Sequence, residues 1–178
     1  GMAGAIVMVT EAAYRTGAGK VTVLTHEKHF PALISKLPCA MTSSANSTKE
    51  LQEIIKGKTV IAIGCGLGKS SWSKKMLRFF IKTNLPKIID ADALNLLSTS
   101  KIKYDLQNSI LTPHPSEAAR LLGYNTGQIQ KNRQAAIQKL QEKYQATIVL
   151  KGSGSLILAD NQKLYQCQFG NPGMAVAG

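Results

Sequence analysis

Four short segments carry the residue types that chemistry needs, and each follows an apolar, strand-like run. The first is Gly64-Cys65-Gly66-Leu67-Gly68-Lys69-Ser70. Its glycines let backbone N–H groups approach an anion, and a helix N-terminus after such a turn stabilises negative charge. It is not a P-loop, because GxxxxGK[ST] requires glycine where Ile63 stands. It also misses GxGxxG, since Lys69 occupies the third glycine position. The plain alternative is a tight strand-to-helix turn that needs positive φ.

Asp90-Ala91-Asp92-Ala93-Leu94-Asn95 places two carboxylates and an amide at a strand end. That set could hold a hydrated magnesium ion or orient a hydroxyl; equally, Asp92 could cap the short helix running to Leu97. In Thr112-Pro113-His114-Pro115-Ser116-Glu117, prolines on both sides fix the backbone and aim the imidazole in one direction. Ser116 is expected to cap a helix starting at Glu117, whose carboxylate lies at the positive helix end. Lys151-Gly152-Ser153-Gly154-Ser155 offers an ammonium and free backbone donors to a phosphate, or is only a turn into the next strand.

Other chemistries find little support. His26 and His29 read as surface residues at a helix start, and with His114 they show no zinc spacing. Ser153 and Ser155 have no evident His/Asp partners for a hydrolase triad. Cys39, Cys65 and Cys167 are sparse and unpaired, which fits a reducing cytoplasm. The net charge of +12 comes from 22 Lys and Arg against 10 Asp and Glu and favours anionic partners. The lysines are dispersed rather than gathered in an aromatic-interleaved stripe, so phosphate-bearing small molecules are preferred over nucleic acid. No apolar run is long enough to cross a bilayer.

The elements that must position these segments alternate in type. Helical periodicity predicts helices over 3–15, 27–37 (Pro31 in its first turn), 48–56, 71–83 and 126–144. Strands are expected over 20–25, 58–63, 87–90, 109–112, 147–151, 155–159 and 163–167, the last two joined as a hairpin through Asp160-Asn161. Such alternation predicts a single α/β domain of three layers, with a mostly parallel central sheet covered on both faces. In such a sheet ligands bind at the carboxyl ends of the strands, where all four segments fall.

Together with Gly1-Met2-Ala3-Gly4-Ala5, Arg15-Thr16-Gly17-Ala18-Gly19 and Gly170-Asn171-Pro172-Gly173-Met174-Ala175, these segments resemble the ADP/ATP-dependent NAD(P)H-hydrate dehydratases of the ribokinase-like superfamily. Each motif alone is weak; seven in order and spacing are specific. The resemblance implies a hydro-lyase that repairs hydrated NADH or NADPH. ADP (ATP in eukaryotic relatives) phosphorylates the hydrate's hydroxyl, and phosphate then leaves. By motif, Ala5, Gly64, Gly66, Asp92, Asn95 and His114 would bind the hydrated dinucleotide, with His114 also catalytic. Lys151, Gly152, Ser153, Gly154 and Ser155 would hold the adenine nucleotide's phosphates, and Glu117 would serve Mg2+ through water.

The resemblance further implies a cytoplasmic homo-oligomer, tetramers being usual among relatives, with no nucleic-acid or membrane partner. The family continues with a Gly-Asp segment carrying the base that activates the hydroxyl; the sequence stops at Gly178, before it. One ribokinase-like domain over 1–178, incomplete at its C-terminal end, is therefore expected. Two further readings stand beside the dehydratase: a truncated, non-catalytic nucleotide-binding protein, and a ribokinase-like kinase for a vitamin precursor. Related vitamin kinases tend to place Asn where His114 stands, which favours the dehydratase.

Overall fold

The computed structural model describes residues 3–100, 104–159 and 163–170. Gly1-Met2 of the first motif, Asn171–Ala175 of the last and the Asp160-Asn161 turn lie outside them. In chain order the elements are α1 (Ala3–Arg15), β1 (Thr22–Leu24), a 3-10 turn (Glu27–His29), α2 (Phe30–Lys36), β2 (Met41–Ser43), α3 (Thr48–Ile55), β3 (Ile61–Ile63) and α4 (Ser71–Phe80). Then follow β4 (Lys87–Ile89), α5 (Ala91–Ser98), β5 (Ser109–Leu111), α6 (Pro115–Leu122), α7 (Thr126–Lys131), α8 (Arg133–Tyr144), β6 (Thr147–Leu150), β7 (Ser155–Leu158) and β8 (Leu164–Cys167).

The central sheet runs β3-β4-β5-β6-β7-β8. The pairs from β3 to β6 are parallel, whereas β6 to β8 form an antiparallel meander. A separate parallel pair, β1-β2, adjoins it through packing: Leu24 shares a cluster with Ile61 and Ile63, Met76 and Leu51. Alternation sends Ile89, Leu111, Ile148 and Leu150 toward α5, α6 and α8, where they join the largest apolar cluster with Leu94, Leu121, Ile137 and Leu140. On the far face, α1 and α2 bury Ile6 and Leu33 against Val23. Ile88 and Ile110, on the face of β4 and β5 opposite Ile89 and Leu111, remain 40% and 39% exposed. Three layers are thus present over β1-β2, and two over β4-β5 among the described residues.

Several expectations about elements need correction. The helix over 126–144 is two helices: Asn132 (φ −149, ψ 81) leaves helical geometry, and its side chain accepts from the Ala135 N–H to start α8. Amide side chains compete with the helical ladder in this way. β2 was not anticipated, because Met41-Thr42-Ser43 holds one apolar residue beside two hydroxyls, unlike the apolar runs of the other strands. The helix over 27–37 opens as a 3-10 turn, with Pro31 early in α2. His29 is not a surface residue: it is 7% exposed, and its Nδ1 meets Thr25 Oγ1 at 2.8 Å. Burial, with Lys28 nearby, lowers its pKa.

Candidate active site

The site is built where β3, β4, β5 and β6 end. The β3 end feeds the glycine turn, in which Gly64, Gly66 and Gly68 all have positive φ. At Gly64 (φ +129) the requirement is absolute, because a Cβ there would stand 1.7 Å from the Asp90 carbonyl oxygen. The two strand ends are stitched at this point by the Asp90 N–H, which donates to Ile63 O, while Ala93 N–H donates to Asp90 O to start α5. Ala91 takes φ 48, a region L-residues with a Cβ seldom occupy, so the turn into α5 is held under strain by its surroundings.

The expected roles of the carboxylates divide differently from the expectation. Asp92 does not cap α5; Asp90 occupies the N-cap position without a side-chain cap bond. Asp92 Oδ2 instead accepts from the Gly68 N–H at 2.8 Å, tying α5 to the glycine turn. Asp90 Oδ1 faces Lys151 Nζ at 2.8 Å. Cys65 Sγ approaches Asp90 Oδ2 at 4.0 Å. Burial pushes the Cys65 thiol pKa up, and the Asp90 charge pushes the same way. Asn95 Oδ1 is buried without a hydrogen-bond partner, as is Thr112 Oγ1. Buried acceptors and hydroxyls of that kind call for a partner that the described residues do not supply.

His114, rather than Ser116, is the cap of α6. Its Nδ1 accepts from the Ser116 N–H at 3.1 Å, while Glu117 Oε2 accepts from the His114 backbone N–H at 2.9 Å. The result is a capping box around an imidazole. Because Nδ1 accepts, the neutral ring carries its proton on Nε2, which lies 3.3 Å from Glu117 Oε1. The Glu117 side chain is 5% exposed and the His114 side chain 42%, so the imidazole is what solvent and ligands meet.

Lys151 is fixed from both ends. Its backbone N–H donates to Pro113 O at 2.9 Å, and its ammonium reaches Asp90. The loop after it is clamped by Arg133, whose guanidinium donates to Ser153 O (2.6 Å) and Leu150 O (3.1 Å) and meets Lys151 O at 3.4 Å. Gly152 and Gly154 both have positive φ. A Cβ on Gly152 would meet Arg133, and one on Gly154 would meet Gln166. Ser155 Oγ closes the turn on the Gly152 carbonyl and receives the Gly152 N–H.

The structure therefore links the strand ends in pairs: Gly64 backs onto Asp90, Asp90 pairs with Lys151, Lys151 is held by Pro113 beside the His114–Glu117 cap, and Asp92 is tied to Gly68. Ala5 lies in the first turn of α1, a helix packed on α2, and none of these hydrogen bonds reaches it. Arg133 was missed because it falls inside what reads as one continuous helix; the Asn132-Arg133 break was its only signal. Among the described residues no three acidic, His or Cys groups assemble a metal centre. Glu117 spends one carboxylate oxygen on the His114 N–H, and the side chain is nearly sealed. Direct coordination of a resident magnesium ion therefore does not fit these residues.

The family model for NAD(P)H-hydrate dehydratase matches residues 1–178. The chain belongs to the NAD(P)H-hydrate dehydratase family. Among curated relatives, a bifunctional NAD(P)H-hydrate repair enzyme of Coxiella burnetii is 47% identical over 178 residues, covering 100% of this chain and 36% of that protein. The ADP-dependent (S)-NAD(P)H-hydrate dehydratase of Neisseria meningitidis is 39% identical, covering 100% of this chain and 61% of that protein. A Bacillus subtilis ADP/ATP-dependent NAD(P)H-hydrate dehydratase, co-crystallised with ATP and Mg2+, superposes with a TM-score of 0.81 at 27% identity. That match covers 98% of this chain and 64% of the other. The chain spans about a third of the length of the Coxiella relative. Among the described residues of this family member, no helix is long and apolar enough to cross a membrane.

Proposed function

We propose that this protein acts in the nucleotide-dependent dehydration of hydrated NADH or NADPH, with ADP as the preferred phosphoryl donor over ATP. The observation that carries the reading is the joint placement of the His114 imidazole and the Lys151 ammonium, which the Pro113–Lys151 hydrogen bond ties together. Lys151, with Gly152, Ser153, Gly154 and Ser155, would receive the nucleotide phosphates. Gly64, Gly66, Asp92, Asn95 and His114, joined by Ala5, would receive the hydrated dinucleotide.

The chemistry balances as phosphoryl transfer from ADP to the hydrate's hydroxyl, giving AMP and releasing the hydroxyl proton, followed by loss of phosphate and of a proton from the adjacent ring carbon, which restores the dihydronicotinamide double bond. Such a reaction needs in-line positioning and neutralisation of spread negative charge, more than covalent help from side chains. Lys151 supplies charge, the glycine turn supplies backbone donors beside α4, and His114 supplies a part-exposed imidazole held by the α6 cap. We place the reaction in the cytoplasm, with residues 1–178 part of one ribokinase-like domain in a homo-oligomer.

Calorimetric titration of the chain with ADP and with ATP tests the nucleotide half. Saturable binding that Lys151→Ala weakens supports the assignment; equal affinity in both proteins removes Lys151 from the site. Nucleotide binding without turnover would leave a non-catalytic binding protein of the same family.

A further inference from the structure

A second cationic concavity lies outside this site. Ser71, Lys74, Lys75, Arg78, Phe79 and Lys82, with Thr48 of α3, line a space of about 410 Å3. On α4 and its C-terminal extension the cations recur at positions 74/75, 78 and 82, so they share one helical face. Like charges at that spacing repel, and a helix carrying them gains from an anion that lies across all of them. Lys74, Lys75, Arg78 and Lys82 are exposed, and Phe79 is half-buried.

Of the acidic side chains on α3, Glu50 has its pKa lowered by hydrogen bonds, to which the Lys75 charge adds. Glu50 Oε2 accepts from the Asn46 N–H, and Glu53 is paired with Lys56 within α3. Lys75 Nζ donates to the Asn46 carbonyl at 2.6 Å, which holds one cation in place at the rim. Among the described residues, no ion pair involves Lys74, Arg78 or Lys82. The volume suits a small molecule, whose pockets run to roughly 300–1,000 Å3. It is one compact cluster over about three helical turns, not a long basic stripe interleaved with aromatics.

We infer that this face of α4 is an anion site for a small molecule bearing a chain of phosphates, formed by Lys74, Lys75, Arg78 and Lys82. Free oligophosphate and the tail of a nucleotide share that chemistry. The site shares no residue with the Lys151 loop, so it stands or falls independently of the dehydratase reading.

The test is calorimetry with inorganic tripolyphosphate at near-physiological salt, on the 178-residue chain and on Lys151→Ala. Saturable binding is expected to persist in Lys151→Ala and to weaken about tenfold or more in Lys74→Glu/Arg78→Glu. The neutral pair Lys74→Gln/Arg78→Gln should lose less, and Lys36→Glu/Lys131→Glu, with the same change in net charge, should stay within about twofold. Thermal melts by circular dichroism confirm that each variant is folded before it is scored. Tighter binding of ATP than of tripolyphosphate in Lys151→Ala would assign nucleotides; equal or weaker binding would assign free oligophosphate. The inference is overturned by absent binding, by an α4 effect no larger than the control's, or by a single-stranded oligonucleotide binding about tenfold tighter than tripolyphosphate.

Discussion

Asp90 and Lys151, 61 positions apart, form an ion pair at 2.8 Å that joins the ends of β4 and β6. β5 lies between those strands, and its own loop holds the Lys151 backbone through Pro113. The pair is partly open to solvent, so its value to stability is small, on the order of 1 kcal/mol or less. Its effect is on position: an otherwise flexible ammonium is aimed across the strand ends.

Lys151→Ala should therefore leave the melting temperature nearly unchanged while weakening ADP about tenfold or more, the loss expected for a charge-assisted contact. Titration calorimetry beside a thermal melt separates the two effects. A large fall in melting temperature with intact ADP affinity would make Lys151 a structural residue.

Gly64→Ala should be severely destabilising, by about 3 kcal/mol or more, because its Cβ must displace the Asp90 carbonyl and sit at φ +129. Gly57 has φ +69 and open space around it, so Gly57→Ala should cost only about 1 kcal/mol. Urea unfolding of the two variants checks the contrast, and comparable losses would refute the close-approach argument.

Arg133→Lys should loosen the phosphate loop although the charge is kept. A lysine cannot reproduce the planar fork that spans the Leu150 and Ser153 carbonyls. A loss of about 1–3 kcal/mol is expected, with faster amide exchange through 151–155. Unchanged exchange in that loop would show that it holds its shape without the guanidinium.

Thiol chemistry reports on the charge of the site. The reactive species is the thiolate, and the Cys65 pKa is raised by burial and then by Asp90, so its thiolate fraction is depressed at any pH below that value. Cys39 is exposed and should alkylate first at mildly alkaline pH. Asp90→Asn should speed Cys65 alkylation; a slower rate, followed by mass spectrometry, would contradict the electrostatic assignment.

The sequence made the site's loops legible because glycine, proline and paired carboxylates mark strand ends by their own backbone chemistry. It could not show that Asp92 serves Gly68 or that His114 displaces Ser116 as a cap, because both depend on side-chain reach across elements. Asn132 hid Arg133 for the opposite reason: apolar period continued through a break made by one amide. The exposed Ile88 and Ile110 likewise lay beyond the pattern, since a strand's apolar residue does not state whether a helix will cover it.

The central claim is met most directly by recovery of dihydronicotinamide absorbance from hydrated NADH with magnesium and ADP, with ATP in parallel. The account predicts recovery that requires the nucleotide, is faster with ADP, and falls about a hundredfold in His114→Ala. Recovery without nucleotide, or full recovery in His114→Ala, would contradict it.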